Sequence, residues 1–191
     1  FIYNQNFYMK NKKEIPLILP IPRHLLKIFH PDLKRCDEYN LNGSICCNCG
    51  CAAFHIKLFA DFDNKNIPHV RRYKNGWSLV IQAVCKDCGQ KWTVFDDSKH
   101  GYNGYVCHQA ISVPDSELKN FVCSDCKDSV FKISISIETE DKEQFLEEVV
   151  AYEEDKFSED DYVDAFNGIG IDIECLHCGK KEPGWIAYET A

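Results

Sequence analysis

Cys85-Lys86-Asp87-Cys88-Gly89-Gln90-Lys91-Trp92-Thr93-Val94-Phe95-Asp96 is answered ninety residues later by Cys175-Leu176-His177-Cys178-Gly179-Lys180-Lys181, followed by Trp185-Ile186-Ala187-Tyr188-Glu189. Each stretch is a CxxC pair, a glycine, a lysine and then a Trp-x-x-aromatic-acid segment. Two further pairs precede them, Cys46/Cys49 and Cys123/Cys126. Phe54-His55-Ile56 follows the first and Phe131-Lys132-Ile133 follows the second, at equal distances. The order of knuckle, Phe-x-Ile, knuckle and Trp strand therefore occurs twice, which marks an internal repeat.

Four thiolates complete one tetrahedral zinc site, so eight predict two. The predicted ligands are Cys46, Cys49, Cys85, Cys88, Cys123, Cys126, Cys175 and Cys178. Cys46 is preferred to Cys47 because only Cys46 and Cys49 give CxxCG. Glycine after the second cysteine permits the left-handed turn of a metal knuckle; Lys127 stands there in the third pair. The duplicated order favours joining the first knuckle with the second and the third with the fourth.

Knuckle, strand, strand, knuckle, strand is the layout of a zinc ribbon, which both halves resemble over residues 46–98 and 123–191. The resemblance implies a small β or α+β, metal-stabilised fold of two tandem modules. Rubredoxin-like iron, which also uses paired CxxCG knuckles, is the alternative metal. With four cysteines per site no coordination position stays open, so the sites are expected to be structural rather than catalytic.

The boundaries follow from this. Residues 1–45 read as an N-terminal lead, in which 1–8 are an extension or a non-native remnant upstream of Met9, the only methionine. Residues 46–113 are the first module and a linker loop, and 114–191 the second. Phe54 to Ala60, Trp77 to Val84, Trp92 to Phe95 and Phe131 to Ile137 are predicted strands, the last because apolar and polar residues alternate strictly. Cys107 to Val113 is a predicted short strand. The spacing from Cys123 to Cys175 exceeds that from Cys46 to Cys85, and the excess coincides with an acidic helix predicted over about 141–155, with Phe145, Val149 and Tyr152 on one face.

Twelve cysteines could also mean disulfides, but no secretory signal is visible and Ile15 to Phe29 is interrupted by Pro16, Pro20, Pro22, Arg23 and Lys27. The expectation is a cytoplasmic protein with metal-bound thiols and no membrane span. Cys36, Cys47, Cys51 and Cys107 are left without a role, most simply as free thiols. His100, in the Gly-rich stretch His100 to Tyr105, reads as a polar loop residue. No nucleophile–base constellation is evident, so enzymatic activity is not expected.

The net charge of −8 is segregated. Residues 1–137 hold 18 Lys and Arg against 13 Asp and Glu, whereas 138–191 hold 4 against 17. The acidic face Glu147, Glu148, Glu153 and Glu154 is therefore a candidate docking surface for a protein partner, or else a solvated helix face. Nucleic acid is the rival partner, through Arg71, Arg72, Lys74 and Trp77, which mix charge and aromatic surface as single-strand binders do.

Overall fold

Phe131, Ile133, Ile135 and Ile137 are buried, while Lys132 and Ser136 between them are exposed, so the alternation of the longest predicted strand is the alternation of a half-wet sheet. The computed structural model describes residues 19–108, 110–153 and 156–190; the predicted extension 1–8 and residues 9–18 of the lead lie outside these. The strands are β1 (Phe29–Pro31), β2 (Asn40–Ile45), β3 (Phe54–Phe59), β4 (Asp61–Phe62), β5 (Pro68–His69), β6 (Arg71–Tyr73), β7 (Gly76–Ser78), β8 (Val80–Cys85), β9 (Lys91–Asp96), β10 (Lys119–Asn120), β11 (Val130–Glu138), β12 (Gly168–Cys175) and β13 (Lys181–Glu189). β4 with β5 and β6 with β7 form small hairpins, and the rest join one antiparallel sheet.

β11 is its centre. Along one edge it pairs with β12 from Phe131↔Cys175 to Glu138↔Gly168, and β12 carries β13. Its other edge is shared, with β2 along Ser134 to Glu138 and β3 at Val130 and Phe131. β3 continues into β8 and β9.

The two repeats meet at equivalent residues. Phe131 pairs with Phe54, Phe54 with Cys85 and Phe131 with Cys175. A single row, Cys85–Phe54–Phe131–Cys175, thus crosses four strands, and at about 4.8 Å per strand it spans roughly 14 Å. Equivalent backbone bonds flank it: Lys86 N–H donates to Ala53 O and Leu176 N–H to Val130 O, both at 3.0 Å.

One core extends through both repeats, from Leu25, Ile28 and Leu41 through Phe54 and Val94 to Phe131, Phe166 and Trp185. The described part of the lead, residues 19–45, therefore belongs to this core. Leu25 and Ile28 are fully buried on a turn closed by Ile28 N–H to Leu25 O at 3.0 Å. β1 and β2 lie in the sheet, with Gly43 so close to β1 that a Cβ there would meet His30 O at 2.3 Å. Arg23 ties the same segment to Asp164 at 2.9 Å and Asp161 at 2.5 Å.

The acidic segment between β11 and β12 is helical over a shorter span than 141–155. An α-turn, α1 (Lys142–Phe145), is capped by Asp141, which accepts from Glu143 and Gln144 N–H, as a helix start requires. A wider turn follows over Leu146–Val150. Phe145 and Val149 face inward, but Tyr152 is 83 % exposed: the wide turn and the helix end at Ala151 break the spacing that put all three on one face. The predicted strand Cys107 to Val113 is not a strand at its described residues. Among the described residues no helix is long and apolar enough to cross a membrane.

Candidate metal centres

Backbone hydrogen bonds decide which cysteines face each other. In three knuckles the first cysteine donates its N–H to the carbonyl five residues on, and its own carbonyl accepts from the N–H four residues on. Cys85 bonds Gln90 and Gly89 in this way, Cys123 bonds Asp128 and Lys127, and Cys175 bonds Lys180 and Gly179, all at 2.8–3.0 Å. In the remaining knuckle the cysteine in that place is Cys47. Its N–H donates to Cys51 O and its carbonyl accepts from Gly50 N–H, both at 2.8 Å. This loop is one residue shorter, a C-x-C turn.

The structure accordingly gathers Cys47, Cys49, Cys85 and Cys88 in one group and Cys123, Cys126, Cys175 and Cys178 in the other, each with its ligand atoms within 4.8 Å of one another. Cys46, expected as a ligand from its spacing, is replaced by Cys47. Its Sγ turns back to the Cys47 carbonyl at 3.6 Å, while Cys47 Sγ lies 3.5 Å from Cys88 Sγ. Across the first group Cys49 and Cys85 are also 3.5 Å apart. In the second, Cys123–Cys178 and Cys126–Cys175 lie at 3.7 and 3.5 Å. The first knuckle joins the second and the third joins the fourth, in the order of the repeat.

Each group has one deeply buried thiol at a strand end (Cys85 closing β8, Cys175 closing β12), a second from the facing knuckle (Cys47, Cys123), and two outer thiols. The residue after the outer thiol takes a left-handed conformation in all four knuckles: Gly50 at φ 89°, Gly89 at 72°, Lys127 at 64° and Gly179 at 72°. Lys127 holds that turn without being glycine, and its Nζ donates to Ser124 O at 2.7 Å.

The outer sulfurs receive backbone N–H groups from two residues on: Cys51 to Cys49, Gln90 to Cys88, Asp128 to Cys126 and Lys180 to Cys178. For Cys85, burial opposes ionisation, but N–H groups of Cys88 and Asp87 and the neighbouring thiols overcome it and lower its pKa to about 6. Cys123 behaves alike, falling to about 7 through Cys126 and Asp125 N–H. Cys49 and Cys126 rise to about 12: their backbone N–H bonds act downward, but hydrogen bonds to neighbouring sulfurs and desolvation together favour the protonated forms. Amides aimed at sulfur and thiols sharing protons are the environment of a thiolate metal site, where the cation displaces the remaining protons. Four soft donors in a closed set suit zinc, or iron in the rubredoxin manner.

The other cysteines do not join these groups. Cys36 Sγ bonds Asn42 backbone at 3.2 Å, Cys51 Sγ accepts from Ala53 N–H at 3.4 Å, and Cys107 is exposed. His55 Nδ1 meets Ser129 at 3.1 Å. His100, read from sequence as a polar loop residue, is instead stacked on His24, with ring centroids 3.7 Å apart.

Of the predicted partner residues, Glu147, Glu148 and Glu153 are exposed on the segment after β11, and Glu154 lies outside the described residues. Arg71, Arg72, Lys74 and Trp77 sit on the β6–β7 hairpin, where Arg72 pairs with Trp77. Arg71 is engaged over the Phe59 ring at 4.8 Å and with Asp61 at 3.6 Å. No protein-family model, curated protein or solved structure matches this chain.

Proposed function

We propose that this chain is a non-enzymatic, zinc-stabilised protein-interaction module, built as a fused pair of zinc ribbons. The observation that carries the structural role is closure: each group uses four thiols, two of them buried and one of these at the end of a core strand, and leaves no position for a substrate. Catalytic zinc keeps such a position open. The core shared between the groups makes metal binding a part of folding.

The docking surface in this reading is the acidic segment after β11. Phe145 and Val149 anchor it, leaving Glu147, Glu148 and Glu153 exposed around Tyr152. An acidic rim around one exposed aromatic ring suits a basic protein surface with an apolar centre. The test is charge reversal of Glu147, Glu148 and Glu153 to Lys, read as retention of partners on the immobilised, zinc-loaded chain after nuclease treatment. Partners lost with the charge reversal support the reading; partners retained with unchanged salt dependence overturn it.

A nucleic-acid reading has one observation in its favour, the exposed Arg72–Trp77 pair of β6 and β7 beside exposed Lys74. It requires single-strand affinity that falls steeply with salt and is lost with Arg72→Ala and Trp77→Ala.

A further inference from the structure

Away from both cysteine groups, a cavity of about 210 Å³ opens between the β6–β7 hairpin, the Tyr102–Val106 turn and the end of β13. Trp77, Asp97, His100, Asn103, Tyr188 and Thr190 line it. Asp97 is only 4 % exposed, and among the described residues no Lys or Arg lies within ion-pairing distance of it. Its Oδ1 accepts from the Ser78 hydroxyl at 2.8 Å. Its Oδ2 has the Tyr188 hydroxyl at 3.5 Å, too far for a full O–H···O bond.

The positive charges nearby are engaged or absent. Lys99 is held on Asp96 at 2.7 Å. His100 Nδ1 accepts the Asp96 N–H at 3.0 Å, which leaves that nitrogen unprotonated. Burial first, and the Asp96 charge after it, raise the pKa of Asp97 to about 6, against hydrogen bonds from Leu79 and Ser78 and the weaker approach of the Tyr188 hydroxyl. A buried carboxylate without a cation is costly and calls for one. Tyr188 and Trp77, which is 57 % exposed, line the cavity, and aromatic rings favour an organic cation over a hydrated metal ion. The volume equals that of about seven waters at ~30 Å³ each, enough for a head group of a few carbons.

We propose that this cavity binds an alkylammonium group, its charge against Asp97 Oδ2 and its alkyl carbons against Trp77 and Tyr188. The group could belong to a free amine or end a lysine side chain. The site is separate from the acidic segment, so its failure would leave the interaction reading standing.

The test uses the full, zinc-loaded chain titrated with choline, n-butylammonium and N-acetyl-lysine methylamide, with 3,3-dimethylbutanol as the uncharged match of choline. Amide shifts of Asn103 and Gly104 and the Trp77 indole signal report binding. Saturable shifts with an ammonium probe, at least tenfold weaker with the alcohol, are expected. Asp97→Asn should weaken binding at least tenfold with two zinc ions retained. Trp77→Ala, at a position 57 % exposed, should weaken it several-fold even where Asp97→Asn fails to fold. Tighter binding of the lysine amide assigns the site to a protein side chain, and tighter binding of the small amines to a free amine. No saturable shift, equal binding of the alcohol, or affinity unchanged in the variants would overturn the proposal.

Discussion

Protonating the His24–His100 stack should destabilise the fold in acid by an amount the structure sets. The rings lie nearly parallel, at 8°, against Phe95 and Phe166. His24 Nε2 reaches Val94 O at 3.2 Å, so that nitrogen carries the proton. Burial, opposed in part by that carbonyl, lowers the pKa of His24 from 6.5 to about 4. Burial again, with the charges of His24 and Lys99 adding to it, lowers that of His100 to about 2. A histidine whose pKa is depressed by folding takes up more protons in the unfolded chain, so its contribution is complete above pH 6.5 and is lost as pH falls toward the folded value. At about 1.4 kcal/mol per pH unit, His24 alone accounts for roughly 3 kcal/mol. Asp97 acts with the opposite sign. Its pKa is raised by folding to about 6, so it adds stability as pH falls from 6 toward 4 and masks much of the histidine loss in a single curve. Comparison with His24→Phe, which keeps the ring and removes the proton site, separates the two. Urea unfolding at pH 7 and 4.5, with free zinc fixed in excess, should show the variant losing about 2–3 kcal/mol less than the parent chain, because metal and Asp97 contributions are common to both. An identical pH dependence would refute a neutral buried stack.

Other outcomes follow from single positions. Lys127→Gly should raise stability by about 1 kcal/mol, since a side-chain-bearing residue there holds φ 64°, the left-handed region that glycine occupies freely; thermal unfolding of the zinc-loaded chain reads it. Gly101→Ala should cost about 2 kcal/mol or more, because at φ 71° its Cβ would come within 2.4 Å of Thr190. Gly184→Ala, with open space around it at φ 60°, should cost about 1 kcal/mol. Chelation should unfold both repeats in one transition monitored by near-ultraviolet circular dichroism, because Phe54 and Phe131 join the two groups in one row; two separated transitions would show independent units.

Where pattern and physics coincide, the sequence is a good guide. The strict alternation of Phe131 to Ile137 is β11, and the duplicated knuckles become two four-thiol groups joined in repeat order. Spacing alone misleads at Cys46, because the knuckle is defined by its hydrogen-bond register, and Cys47 with Gly50 and Cys51 closes a shorter loop than CxxCG. Asn40, Asn42, Gly43 and Ser44 have the composition of a turn, yet they lie in β2. Its polar residues lie beside β11, and Gly43 is needed for the approach of β1 rather than for a reversal; tertiary pairing overrides local preference. The Asp97 cavity and the histidine stack leave no local signal, since they bring together residues from the lead, the linker and the last strand.

The most direct test of the account is metal content of the purified chain and two single variants, by elemental analysis and native mass spectrometry. The account predicts two zinc ions per chain, two in Cys46→Ala and one in Cys47→Ala. Two in Cys47→Ala with one in Cys46→Ala, or a metal-free parent chain with its cysteines oxidised, would contradict it.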